Sequence, residues 1–202
     1  MRSFASPLAA FLALSVLVNG TIAQGNSSSD AVGASPVFSD VPPVGVADPY
    51  VIAAITQKLA LYDIAIDTKN FSALSGTFTT DVAPNVALVP IKGLAAYEAF
   101  LQADLAGKRT KHTTDTVFVS NIEPYTAQSI SYSDAVYFGR GSALGQQFTF
   151  YERFDDVWSK DKVDGSWKIS ERSLIFFGVA GNRTALSAEQ VEGLIKAGLL
   201  LP

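Results

Sequence analysis

Residues 48–74 read DPYVIAAITQKLALYDIAIDTKNFSAL. Asp48 followed by Pro49 is an N-cap with proline at the first helical position. Ile52, Ile55, Leu59, Tyr62 and Ile66 then recur at 3-4-3-4 spacing, the apolar stripe of a helix ending near Asp67. Asn70-Phe71 restarts a short helical turn through Leu74. Asp63 and Asp67 lie four apart and so stack on one flank of the helix, Asp63 at the edge of the stripe and Asp67 just beyond it. A carboxylate at that margin has two readings. It points into a cavity, where desolvation raises its pKa toward a useful base, or it merely ends the helix.

Working outward, residues 79–89 hold a strand interrupted at Pro84, and residues 93–105 (GLAAYEAFLQADL) a second helix closed by Gly107. His112 enters a strand over 113–119, and there the period changes to two. Ile130, Tyr132, Val136 and Phe138 share one strand face with Asp134, and the opposite face is Ser, Ala and Tyr. Phe148, Phe150 and Phe154 share a face with Glu152. Trp167, Ile169, Ile175 and Phe177 share a parity with Glu171. Long strands separated by turns, of which Asp164-Gly165 is the clearest, make an antiparallel meander. A carboxylate in an apolar row needs a partner, a wet cavity or a bulge that turns it outward. With Arg153 and Arg172 adjacent at opposite parity, a bulge that places the charges outside is the simpler account. Residues 186–200 read as a terminal helix, with Ser187 as N-cap and Glu189-Gln190 in its first turn. Helices first and long antiparallel strands after them define an α+β order, in a single domain over 48–202.

The N-terminus reads as a secretory signal over residues 1–23. Arg2 supplies positive charge, residues 7–18 (PLAAFLALSVLV) are an apolar run of twelve, and Thr21-Ile22-Ala23 is a small-x-small cleavage site. Twelve residues fall short of the roughly twenty that span a bilayer, so no membrane association is expected. Residues 24–47 are rich in Ser, Gly and Pro without periodicity, a flexible leader. Asn26, Asn70 and Asn182 each open an N-x-S/T sequon, and behind a signal peptide such sites become candidate glycan acceptors. The chain is thus expected to be a secreted, extracellular glycoprotein.

Composition narrows the chemistry. The 202 residues include no cysteine and one histidine, with a net charge of −4. Thiolate nucleophiles and disulfides are excluded, and a histidine-based metal site nearly so; no metal and no cofactor are expected. No clustered basic footprint exists for nucleic acid. No glycine-flanked serine precedes a helix as a nucleophile elbow. Carboxylates, hydroxyls and a single imidazole remain. His112, in Lys108-Arg109-Thr110-Lys111-His112, carries the only side chain whose unperturbed pKa lies near neutrality. From the residues alone, a surface histidine beside basic neighbours is the simpler account of it.

Together these pieces resemble the SnoaL-like group of the nuclear-transport-factor-2-like superfamily, which includes scytalone dehydratase, ketosteroid isomerase and polyketide cyclases. The resemblance runs from about Tyr50 to Phe177. It is carried by Tyr62-Asp-Ile-Ala-Ile-Asp67-Thr-Lys-Asn-Phe71-Ser-Ala-Leu74, Phe78-Thr-Thr-Asp81, Gly93 with its helix, Lys111-His112 and Trp167-Lys-Ile169-Ser-Glu-Arg172-Ser-Leu174. It implies a cone of helices packed on a strongly curved antiparallel sheet, enclosing one apolar pocket. In dehydratase-like members an aspartate at the first helix's end and a histidine opening the next strand face each other across that pocket. Asp67 and His112 match those positions by context. A second pocket histidine of the dehydratase pattern is missing from residues 131–140, where Tyr137 is the nearest hydroxyl substitute.

Two functions follow from the resemblance. The first is a cofactor-free dehydratase, isomerase or cyclase, a lyase or isomerase acting on a small hydrophobic or aromatic molecule. His112, held by Asp67, would abstract a proton alpha to a carbonyl, and Tyr62 or Tyr137 would hydrogen-bond the developing oxyanion. Tyr62, Asp63, Phe148 and Phe150 would contact the ligand. The second is a non-catalytic extracellular ligand-binding or effector protein on the same fold. Relatives often pair through the outer sheet face, so a homodimer is also expected. The secretion reading is checked by intact mass of the protein from culture medium: a chain starting near Gln24, with glycan mass on one or more of the three asparagines, is the expected result.

Overall fold

The computed structural model describes residues 48–86, 89–120, 122–196 and 198–200. The signal segment, the leader and Asn26 lie outside them. Helix α1 spans Pro49–Asp67, and the Asp48 carboxylate caps it by accepting from the Tyr50 and Val51 N–H groups. Its buried stripe is Val51, Ile55, Leu59, Tyr62, Ala65 and Ile66, with Asp63 buried beside it. The helix ends in a Schellman motif: Asn70 N–H donates to the Ala65 carbonyl and Lys69 N–H to that of Ile66. Lys69 takes the left-handed position there, at φ 62°, where glycine is usual. A 3-10 turn over Phe71–Gly76 leads into strand β1 (Phe78–Val86), β2 (Val89–Pro90) and helix α2 (Leu94–Leu105). Four long strands follow, β3 (Arg109–Ser120), β4 (Thr126–Phe138), β5 (Gln147–Lys160) and β6 (Trp167–Gly181), and then helix α3 (Ala188–Lys196).

The strands form one curved six-stranded sheet in the order β2-β1-β6-β5-β4-β3. The expected antiparallel meander is β3 to β6, while β1 joins the far side of β6 in parallel. Pro84 does not interrupt β1. The strand runs through it opposite Arg172, and the pairing shifts register between Phe78 and Ala83, an irregularity of the kind that accommodates a residue without an N–H. Strand β3 starts at Arg109, earlier than its apolar pattern suggests, so His112 sits inside the strand. The terminal helix is shorter than its sequence pattern. It begins with a reciprocal capping box between Ser187 and Gln190.

The inner face of β4 carries Ala127, Ser129, Ser131, Ser133, Ala135 and Tyr137, all buried. Small side chains there leave the interior to aromatic rings from β5, β6 and α1. The bulge expected to turn both strand glutamates outward acts on only one of them. Val157 pairs Glu171 while Trp158 pairs Ile169, so Ser170 is an extra residue in β6. Parity flips at that point, Glu171 leaves the inner face, and Arg172 enters it fully buried. A second irregularity puts Gly178 opposite Tyr151 and Phe176 opposite Glu152, with Phe177 turned out and 56% exposed. The row Trp167, Ile169, Ile175, Phe177 is therefore split between the two faces. Glu152 stays on the inner face with Phe148, Phe150 and Phe154, which corrects the outward placement.

Arg172 grips Asp156 with two hydrogen bonds, 2.7 and 2.9 Å, and both side chains are fully buried. Its guanidinium lies 4.3 Å from the Phe154 ring centroid, 4.5 Å from that of Tyr62 and 5.2 Å from that of Phe78. Removing one partner of such a pair strands the other charge in an apolar core. Asp156→Ala should lower the unfolding free energy by about 3–5 kcal/mol. The double change Asp156→Leu with Arg172→Met should cost much less. Urea denaturation of the three proteins measures both.

Candidate active site

The inner face of the sheet and the two long helices enclose a cavity of about 60 Å³. Its wall comes from α1 (Tyr62, Ile66), α2 (Tyr97, Phe100, Leu101, Asp104, Leu105), and the strands (Val86, His112, Tyr137, Phe150, Glu152, Phe154, Leu174, Phe176), with Gln190 of α3. The α2 residues recur at helical spacing, because one face of that helix covers the cone. Most of the lining is apolar, and few polar groups converge in it, the usual composition of a small-molecule pocket.

His112 is held from behind. Its Nδ1 lies 2.7 Å from Asp67 Oδ1, and its backbone N–H donates to Asp67 Oδ2 at 2.7 Å. The Thr110 hydroxyl donates to Asp67 Oδ1 at 2.9 Å, and the Lys69 ammonium donates to the Thr110 hydroxyl at 2.9 Å. A carboxylate facing Nδ1 sets the tautomer: Nδ1 carries the hydrogen, and the Nε2 lone pair is free. Burial opposes the charge of Asp67. The hydrogen bonds from the His112 ring and main chain, and from Thr110, outweigh it and hold the carboxyl below its ordinary range.

One turn earlier, Asp63 Oδ2 accepts from the Thr114 N–H at 3.0 Å and from its hydroxyl at 2.9 Å. Asp63 does not line the cavity. Burial raises its pKa, with the Thr114 hydrogen bonds and the His112 side opposing. Phe148 does not reach the cavity either; it is buried behind the lining, packing edge-on against Phe150 at 5.2 Å. Tyr62, Tyr137 and Phe150 do line it. The Tyr62 and Tyr97 hydroxyls are 3.2 Å apart, and the Tyr137 hydroxyl lies 3.5 Å from Asp104 Oδ2. Burial drives both the Tyr62 and the Tyr137 phenols well above their ordinary pKa, so each keeps its proton. Glu152 also faces the cavity. Burial, with Asp63 adding repulsion and Arg172 opposing, lifts its carboxyl to about 8.

Tyr97, Asp104 and Gln190 were not singled out by sequence reasoning. Asp104 carries a legible signal, since it falls in the stripe Leu94, Tyr97, Leu101, Asp104, Leu105 of α2. Gln190 carries none, because its capping-box role accounts for it locally. Asn70 and Asn182 are exposed. Among the described residues no group of His, Asp and Glu is placed to hold a metal ion, and no helix is long and apolar enough to cross a membrane.

A curved sheet roofed by helices around one apolar cavity, with an imidazole–carboxylate pair at its wall, defines a small-molecule-binding cone. The chain belongs to the SnoaL-like domain family, whose model matches residues 51–173. Solved structures share the fold. A hexachlorocyclohexane dehydrochlorinase of the LinA type 2 form is 14% identical with a TM-score of 0.57, covering 69% of this chain and 90% of that one. A candidate scytalone dehydratase from Novosphingobium aromaticivorans is 21% identical with a TM-score of 0.57, covering 66% and 88%. The Kfla4162 protein from Kribbella flavida is 17% identical with a TM-score of 0.60, covering 68% and 99%. No curated protein sequence matches.

The Asp67 geometry generates a pH dependence. A carboxyl depressed in the folded state contributes stability that is present above its unfolded value, near ~3.9, and is lost as pH falls through the lower folded value. Asp67→Asn should be less stable than the parent at pH 7, and the two melting-temperature curves should converge between about pH 4 and pH 2. Thermal melts across that range measure it.

Proposed function

We propose that this is a secreted SnoaL-like protein that binds a small hydrophobic or aromatic molecule and acts on it as a cofactor-free dehydratase, isomerase or cyclase. The observation that carries the reading is the 2.7 Å contact between His112 Nδ1 and Asp67 Oδ1, with the ring bordering the cavity. In that arrangement His112 Nε2 is a general base. It removes a proton alpha to a substrate carbonyl, and the imidazolium that forms is stabilised by Asp67 behind it. Tyr62 and Tyr137, both protonated, hydrogen-bond the enolate oxygen. The phenylalanines exclude water, which strengthens each of these interactions. Proton transfer of this kind asks for no metal or redox cofactor.

The solved relatives act in support, since one is named for elimination of hydrogen chloride and another as a candidate dehydratase. Secretion rests on the N-terminal segment, and glycosylation at Asn70 and Asn182 is compatible with their exposure. The outer sheet face supports a homodimer: Tyr132, Tyr151 and Phe177 are exposed there, and the Tyr132 and Phe177 rings lie 5.4 Å apart.

Deuterium exchange alpha to the carbonyl of 2-tetralone in D2O, followed by NMR, tests the base directly. His112→Ala should lower the exchange rate by at least about 10²-fold, the usual value of a positioned general base. Binding of the ketone should change little, since the apolar wall supplies it. Asp67→Asn should lose rate as well, because the ring loses its orienting partner. Exchange unaffected by His112→Ala makes the ligand carrier the correct reading.

A further inference from the structure

Glu152 is a cavity carboxyl that the reaction above leaves without a task, and unlike Asp104, which meets Lys108 and Tyr137, it has no ion-pair partner among the described residues. It is 8% exposed, lines the cavity, and no hydrogen bond to another described residue satisfies its carboxyl. An acid in that setting is costly as a carboxylate and acceptable as a neutral acid with one O–H to donate. From β6, Arg172 gives two hydrogen bonds to Asp156 and keeps Nη1 without a partner, a donor that cannot accept a hydrogen. From α1, Asp63 Oδ2 is held by Thr114 while its Oδ1 is buried without a partner, and the Tyr62 hydroxyl meets Tyr97. From α2, Asp104 is bound to Lys108 at 3.2 Å. From β4, Tyr137 is nearest Asp104, and Asp134 stands on the outer face. From β3, His112 is tied to Asp67. None of them takes the Glu152 hydrogen.

The strand pairing sets where that hydrogen lies. His112 pairs with Ala135 on β4, and Glu152 pairs with Ser133 on the other side of β4. Two strand spacings, about 10 Å, separate β3 from β5, and the two register positions differ by two residues along β4, so the two side chains border the cavity from separate places. A second unsatisfied donor borders the same space: Gln190 Nε2 is buried without a partner. At the end of the cavity bordered by Glu152 and Gln190 the unfilled capacity is of donor type, opposite the His112 Nε2 lone pair, and it calls for a ligand with oxygen acceptors there. Buried carboxyls on several sides disfavour an anionic one.

We propose that Glu152 is the general acid of the site, donating its O–H to an oxygen of a neutral hydroxy- or ketone-bearing ring whose C–H faces His112. The inference rests on the proposed proton-transfer function and extends it. For a β-hydroxy ketone the step balances as follows. The C–H proton goes to His112 Nε2, and the electron pair forms the C=C bond. The C–O bond breaks, and the departing hydroxyl takes the Glu152 proton and leaves as water. Imidazolium and carboxylate remain, and transfer of one proton between them restores the starting state. For a ketone without a leaving group, the same O–H stabilises the enolate and delivers the enol. The raised pKa of Glu152 agrees with a neutral acid at pH 7.

Infrared difference spectra of carbonyl-labelled 2-tetralone, bound to the intact protein and free, test this without needing turnover. At pH 6 the bound carbonyl band should move to lower wavenumber. The move should shrink in Glu152→Leu, which keeps the volume and removes one donor, and shrink equally in the parent at pH 9.5, leaving the part that the Tyr62 and Tyr137 hydroxyls supply. His112→Ala should keep the full move. In the exchange assay Glu152→Gln, a weaker donor with no proton to transfer, should run about 10²-fold slower with a nearly unchanged KM, and its rate should lose the alkaline decline centred near 8. A spectral shift of the same size in Glu152→Leu as in the parent, or failure of the ketone to bind, overturns the proposal. A shift that depends on Glu152 while no exchange occurs upholds the donor and overturns the enzyme reading instead.

Discussion

The buried Arg172–Asp156 pair is the point on which the cone is assembled. A guanidinium keeps its charge at any working pH, so burying it calls for a carboxylate and ring faces around it. Here Asp156 of β5 takes two donors, while Tyr62 of α1, Phe78 of β1 and Phe154 of β5 surround the group at 4.3 to 5.2 Å. Four elements distant in sequence thus meet at one cation. Tyr62 and Phe154 each touch the cation on one side and the cavity on the other, so the pair forms the floor of the site. The single extra residue at Ser170 is what turns Arg172 inward. Without that bulge Glu171 would face the aromatic rings, with Asp156 beside it and no counter-charge.

A second constraint joins helix to sheet. Strand β3 is at the edge of the sheet, and its outward N–H groups would otherwise be unpaired. Asp63 and Asp67 take the N–H groups of Thr114 and His112. The spacing matches. Four residues of helix rise about 6 Å, and two residues of strand rise about 6.6 Å. Two carboxylates one helical turn apart therefore fall opposite alternate strand residues, antiparallel in order. This rung fixes the backbone of His112 as well as its ring, so the imidazole has little freedom to leave the cavity wall.

That geometry explains which parts of the protein could be read in the sequence. The helix over 49–67, its capping residues and the second helix rest on local spacing, and they occur where the spacing places them. The likeness to the SnoaL-like family located Asp67 and His112 as a pair, although they stand 45 positions apart with no local sign of contact. The strand faces of β6 were not legible. A bulge is a pairing event between two strands, and the extra residue is visible only once Val157 and Trp158 have found their partners. Arg153 and Arg172 look alike in sequence, each beside a glutamate, yet one is partly exposed with Asp155 and the other is fully buried. Asp63 and Phe148 share a face with true lining residues but lie one layer behind the cavity.

The site contains two carboxyls whose surroundings push them in opposite directions. Asp67, fed by three hydrogen bonds, is held as an anion; Glu152, with none from the described residues, is held as an acid. Divergent carboxyls in one apolar shell are a common basis for separating acid from base roles near neutral pH. The arrangement also bears on the choice between catalyst and carrier. A carboxyl raised in the folded state contributes stability below its unfolded value, near ~4.3, and that contribution is lost as pH rises toward about 8. At neutral pH the fold therefore already bears part of the cost of burying Glu152. A pocket built only to hold an apolar ligand would be more stable with leucine at that position. The proposed donor role of Glu152 gives that cost a use.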